Sequence, residues 1–596
     1  MLRTAALAAL ICSSPAALAG EKIEFDFGGM VQYDLRFRLQ DIRAGTFYQP
    51  QPDVPTLSRN ELIGKFKLGA KFGRFGMKSD LDFVLRAYPQ VETLDDLYLY
   101  NRVTPFRFEA HSLYLYARDL LVPGFDMRIG QQKAMFGVGD QFNPTNTVNA
   151  WDFEDPLLFG DQQGNLMVRL DYTPVWNWTM TGILVPVFKP ALLPRTGYLA
   201  QTPDRYPFVN DTLRYNLNAE QESGFELFGY PTVVDDIIIQ QPDFHPRNFQ
   251  GFFRLGAILG GQDIALSYYR GFSDIPQPIQ NTTSQRAFDQ QICETNWLGE
   301  EICASGVLES DVVLSFPRMH VAGFNMTGEF NAFGWVHKSF KPLGYRVEFA
   351  AIFPEDVGLE IQQDDINFSF INKNGEYEYP FEERLLRGVP QGTRDNVRIQ
   401  GDNRVVTNRP FFKWTVGLDY TFNKHLYMNT QWVHGFPDEF GAGSFFQDGW
   451  TVRASGVRPG VEAIGTECLD LSTFSGIGET CASEYIKPRI GDYLVWGTDI
   501  NFLANSALLR LFVIWDLIGV YENTWDEESG ERVLIHHGPF SRKGASLVLY
   551  PAFQYNFGRG FDVQAGVLLN FGQRWTKFGA PEVGGHQVWT RARFRF

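Results

Sequence analysis

The chain has 596 residues and a mass of 67.9 kDa, with 53 Lys and Arg against 69 Asp and Glu, a formal charge of -16. That acidity excludes a nucleic-acid binder held by bulk electrostatics. With 44% hydrophobic, 20% charged and 15% aromatic residues, 57 Gly and 53 Phe, the composition is not that of a disordered chain.

Residues 1–19 place Arg3 before an apolar stretch that ends in Ala17-Leu18-Ala19, the small-x-small pattern of a signal-peptidase site. The reading is a signal peptide over 1–19, followed by one domain over 20–596. A lipoprotein anchor on Cys12 is disfavoured because the bulky Ile11 precedes it. Cys293, Cys303, Cys468 and Cys481 fall as two close pairs in polar segments, and in an exported chain this predicts two local disulfides. A tetrahedral metal site wants ligands set closer, and no Cys-x-x-Cys-His haem site occurs, so neither a metal nor a cofactor is expected.

From Ile23 the apolar residues Phe25, Phe27, Val31, Tyr33, Leu35 and Phe37 alternate with Glu24, Asp26, Gln32, Asp34, Arg36 and Arg38. Period two is the mark of a strand with unlike faces. The next run sets Leu62, Phe66, Leu68 and Phe72 against Lys65, Lys67 and Lys71. Later, Phe412, Trp414, Val416 and Leu418 alternate with Lys413, Thr415 and Asp419. The pattern predicts strands at 22–39, 61–73, 77–88, 107–118, 126–136, 164–173, 177–186, 247–259, 263–273, 318–330, 343–353, 410–422, 425–434, 492–502, 508–518, 545–557, 562–572 and 586–596.

No stretch after the leader has about 18 unbroken apolar residues, which excludes a transmembrane helix. Roughly 10-residue alternating strands suit a transmembrane barrel, which meets lipid on one face and water on the other. The expected fold is therefore all-β: an antiparallel transmembrane barrel of about 18 strands in the Gram-negative outer membrane. Every odd-numbered connection is long and every even-numbered one short, as expected for extracellular loops and periplasmic turns. The first strand follows the leader directly, so no N-terminal plug is expected. Outer-membrane lipid, lipopolysaccharide and the barrel-assembly machinery are the expected partners.

Strand phase places Arg36, Arg38, Lys65, Lys67, Arg86, Arg128, Arg169, Arg346, Lys413, Arg591 and Arg593 toward the lumen, and Lys133 in the fifth strand is a further candidate for the pore lining. Acids such as Asp34, Asp82, Asp171, Glu348, Asp419 and Asp499 share that face. Facing charges on neighbouring strands pair, so a wet but neutralised wall is expected ahead of an anion path. The third long connection, Phe136-Gly-Val-Gly through Asn143-Pro-Thr-Asn to Asp155-Pro156, is built for compact turns. Its Asp140, Trp151, Asp152, Glu154 and Asp155 are candidate constriction residues.

The Gly130-Gln-Gln strand followed by Phe-Gly-x-Gly, Asn-Pro-Thr-Asn and Asp-Pro resembles the strand-and-loop signature of a group of proteobacterial outer-membrane porin-like barrels, many without an assigned substrate. The resemblance covers about residues 126–190 and the final strand, where Val588, Thr590, Ala592, Phe594 and Phe596 oppose Arg591, Arg593 and Arg595. It implies a passive or facilitated channel for small hydrophilic solutes. The strand count is also similar to that of the alginate-export porin, from whose basic lining the inward acids depart. The same loop could instead only anchor itself to the barrel wall. The alternative function is an exporter component for lipidic or polymeric cargo, or a sheath around a periplasmic partner. An enzyme is not expected: the histidines are dispersed, and His536 and His537 are consecutive and would point apart on an extended chain.

Overall fold

The computed structural model describes residues 23–39, 57–86, 100–155, 160–193, 232–295, 301–331, 341–358, 408–441, 484–526, 531–573 and 586–596, with shorter stretches between some of these. The leader, Cys468 and Cys481 lie outside the described residues.

Eighteen strands form one antiparallel sheet in which sequence neighbours pair, and the last strand pairs with the first. They are β1 (Glu24–Arg38), β2 (Leu57–Phe72), β3 (Phe75–Arg86), β4 (Phe106–Ala117), β5 (Phe125–Gln132), β6 (Asn165–Val175), β7 (Trp178–Val185), β8 (Gln250–Leu259) and β9 (Gln262–Phe272). The second half comprises β10 (Arg318–Phe330), β11 (Leu343–Pro354), β12 (Phe411–Thr421), β13 (Leu426–His434), β14 (Asp492–Phe502), β15 (Ala507–Asp516), β16 (Ser546–Gly558), β17 (Phe561–Gly572) and β18 (Gln587–Arg595). Closure leaves no barrel edge unpaired. The Asp34↔Arg591 register sets the β1–β18 seam, and Phe596 exchanges both backbone hydrogen bonds with Gly29 at its turn end.

The one strand that stops clearly short of its predicted end is β5, which leaves the ladder after Gln132 rather than at residue 136. Asn149 takes over there: its side-chain carbonyl accepts from Ala134 N–H at 2.7 Å, and its amide donates to the Gln132 and Gln163 carbonyls. A side chain that satisfies strand-end backbone groups lets the chain turn into the lumen without orphaned donors.

Long connections also build small sheets of their own. One joins residues 232–240, 277–295, 301–315 and 360–364, and its register sets Cys293 opposite Cys303. Another joins 452–453, 484–487, 520–526 and 531–537.

Candidate functional site

The outward face of the barrel is apolar on strand after strand. Phe25, Phe27, Val31, Tyr33 and Phe37 on β1, Phe83 and Leu85 on β3, Phe106, Phe108 and Leu115 on β4, Phe412 and Leu418 on β12, and Phe594 on β18 are all exposed. Such a surface would be a severe liability in water, whereas in lipid it is the stable solution for a closed sheet. At the turn end aromatic side chains meet, with Tyr420 against Phe422, Tyr555 against Phe557, and Phe596 against Phe27 and Phe66. These fit an interfacial girdle. The chain is a membrane-spanning β-barrel. No helix among the described residues is long and apolar enough to cross a membrane.

Inside the barrel, the connection between β5 and β6 (residues 133–164) folds into the lumen and reaches both arcs of the wall. Its first half is held by Glu348 of β11, which has no exposed surface. Val138 N–H, Gly139 N–H and Thr145 N–H donate to the Glu348 carboxylate at 2.8, 3.0 and 2.8 Å, and Thr145 Oγ1–H donates at 2.8 Å. This explains the Phe-Gly-Val-Gly and Asn-Pro-Thr spacing, because both segments must present their backbone to one carboxylate. Charge-assisted bonds of this kind are about twice as strong as neutral ones. Asp140 is tied to β13, its N–H donating to Gln431 Oε1 at 2.9 Å and its carboxylate accepting from Asn429 Nδ2 at 3.1 Å. Phe142 stacks on Phe436, which stacks on Tyr493 with ring centroids 3.8 Å apart.

The second half meets the opposite arc through charge. Asp155 accepts from both terminal nitrogens of Arg36 at 2.6 Å, and Arg36 also clasps Asp34, which Arg591 approaches from β18. Burial alone would raise the Asp155 carboxyl, but Arg36 and Arg59 hold it well below the usual carboxylate range. Glu154 lies among Arg59, Arg86 and Arg107, with Arg86 Nη2 donating to it at 2.6 Å. Trp151 is buried and stacks on Phe153, and its backbone N–H donates to the Asp274 carboxylate at 2.7 Å. Asp152 and Asp274 are both pushed up to about 6 by burial; nearby Glu154, Asp161 and Glu109 add to the effect on Asp152.

The predicted lumen bases are mostly paired. Lys65 meets Asp82 at 2.6 Å, Arg86 meets Glu61 at 2.7 Å, Arg169 meets Asp171 at 2.8 Å, Arg346 meets Asp419 at 3.2 Å, and Arg593 meets Asp562 at 2.8 Å. Lys133 meets Asp161 at 2.9 Å, while Arg128 and Lys67 stand 3.8 and 3.9 Å from Asp171 and Asp80. Lys413 is buried and donates to the Phe436 carbonyl at 2.6 Å. Arg38 lies at the loop end of β1. Of these residues, Arg36, Arg86 and Arg591 meet the constriction candidates Glu154 and Asp155; Lys133 lies in the connection itself, and the others sit elsewhere on the wall.

Between residues 133–164 and the β15–β18 arc lies a cavity of about 440 Å³. Gln141 and Asp161 border it from the loop, and Arg510, Gln554, Gln564 and Arg593 from the wall. Charge alone does not single out the glutamines, although Gln554 and Gln564 fall on the lumen phase of their strands. Gly160 shapes this rim: it has φ of +75°, and a Cβ there would lie 2.0 Å from the Gln141 carbonyl oxygen.

No protein-family model and no curated protein matches the chain. Among solved structures it is similar to OccAB3 of Acinetobacter baumannii at 9% identity and a TM-score of 0.39, over 96% of this chain and 99% of that one. It is similar to OccK9 (OpdG) of Pseudomonas aeruginosa at 8% identity and a TM-score of 0.40, over 96% and 98%. A mutant of the Rh. blastica porin aligns at 10% identity and a TM-score of 0.28, over 96% and 100%.

Proposed function

We propose that the barrel is a porin: a channel for passive or facilitated diffusion of small hydrophilic solutes, narrowed by the inward-folded residues 133–164. The observation that carries this reading is the cavity between that loop and β15–β18, bordered by Gln141, Asp161, Arg510, Gln554, Gln564 and Arg593. Apolar Leu508, Phe512 and Trp589 share the lining, but the amide and paired ionic groups need water, and this favours water-soluble solutes over lipidic cargo. Asp140, Glu154 and Asp155 act here mainly as anchors that set the loop's position, and Trp151 fills its core. The reading involves no catalysis.

The test is insertion of the refolded chain into a planar bilayer. Stable open steps are expected, and deletion of residues 140–155 enlarges them. A correctly inserted barrel that stays silent, or one whose steps are unchanged by the deletion, overturns the reading.

A further inference from the structure

We propose a binding site for a divalent transition-metal ion, of the Zn²⁺ type, formed by Asp82 of β3 with Glu109 and His111 of β4 on the lumen wall. One ligand atom from each of the three lies within 4.8 Å of the others. His111 Nε2 is 2.9 Å from Asp82 Oδ2 and 3.7 Å from Glu109 Oε2. Bonds of about 2 Å in a tetrahedral shell set donor atoms roughly 3.3 Å apart, and the two distances bracket that separation.

The backbone builds this juxtaposition. Asp82 is registered opposite Glu109, and the ladder shifts between Asp80 and Leu81 because β4 carries one extra residue, His111. A bulge of this sort re-aims side chains that a regular ladder would send to fixed faces. Gly164, at the far end of the inward-folded loop, presses on the His111 carbonyl; a Cβ at that position would come within 2.1 Å of the oxygen. The bulge is thereby held from the lumen side.

A second, independent observation concerns Asp82 itself. Its side chain is 4% exposed, and its Oδ1 is buried without a hydrogen-bond partner, while Oδ2 takes both Lys65 and His111. An orphaned oxygen on a buried carboxylate is costly, and a cation that Asp82 holds through both of its oxygens relieves it. The Lys65 ammonium, 2.6 Å from Asp82 Oδ2, already marks the place as one that attracts positive charge. With a third of its side chain exposed, Lys65 can swing away when a metal ion enters. Imidazole with two carboxylates suits Zn²⁺ and its neighbours, whereas Ca²⁺ and Mg²⁺ prefer oxygen-only shells.

Calorimetric titration of ZnCl₂ into the refolded full chain in detergent, with thiols alkylated beforehand, tests the site. One saturable site is expected. Binding weakens by more than about tenfold in His111→Ala and in the shape-preserving Glu109→Gln. It tightens in Lys65→Gln and is unchanged in His320→Ala, whose ring sits against Tyr268 on the exposed side of the barrel. Absence of saturable binding, full affinity in both His111→Ala and Glu109→Gln, or Ca²⁺ binding as tightly as Zn²⁺ overturns the proposal. The readout does not require the barrel to conduct, so its failure is distinguishable from failure of the channel reading.

Discussion

Individual charged residues in this lumen act by holding one another. Arg36 is the hub: it is buried and bonds to Asp34 and Asp155 at once, with Arg591 completing the cluster. Truncating one member of a buried ionic cluster strands the others, at a cost of about 3–5 kcal/mol. Arg36→Ala is therefore expected to lower unfolding stability by that amount in urea titrations of the folded barrel. The double variant Arg36→Met with Asp155→Asn should cost less than the sum of its parts, because the two residues share one interaction. Asp152 behaves in the opposite sense. Its carboxyl is raised to about 6, so between about pH 4 and pH 6 the folded chain keeps a proton that the unfolded chain releases, and stability falls as pH rises through that window. Asp152→Asn removes this slope. The variant should match the parent near pH 4 and exceed its urea midpoint at pH 7; equal midpoints at both values would refute the assignment.

At the scale of elements, residues 133–164 behave as a part fastened at both ends of its reach, by Glu348 on one arc and by Arg36, Arg59, Arg86 and Arg107 on the other. Glu348→Gln keeps the shape but loses the charge, and one amide oxygen then serves donors that two carboxylate oxygens shared. The barrel itself should remain folded while the loop loosens. Single-channel records are expected to show more frequent transitions between sub-levels, and limited proteolysis to cut within 133–164 faster than in the parent. The strands were legible to within a few residues at their ends, because a lipid-facing side chain and a water-facing one must alternate. The end of β5 was not, since Asn149, seventeen residues beyond Gln132, replaces the ladder there. Periodicity carries no trace of a side chain borrowed from a distant position.

For the molecule as a whole, the pairing of lumen charges decides its response to ions. Arg510 with Asp499, Arg36 and Arg591 with Asp34 and Asp155, and Arg593 and Arg595 together on Asp562 leave only a small net charge on the wall around the main cavity. Weak ion selectivity follows, so the reversal potential in a tenfold salt gradient should lie close to zero. A strongly anion-selective potential would mean that these pairs open in the conducting state.

The sequence by itself determined the strand number, the alternation of long and short connections, and which residues of each strand face lipid, because all three are local consequences of threading a sheet through a bilayer. It also marked residues 136–156 as unlike the other connections. Only the tertiary structure decided what that stretch does: which carboxylate its glycines surround, which arginines receive Glu154 and Asp155, and that Gln554 and Gln564 rather than Trp151 border the open space. Each of these is a contact between residues tens to hundreds of positions apart, and such contacts are chosen by the closure of the barrel rather than by any short stretch of chain.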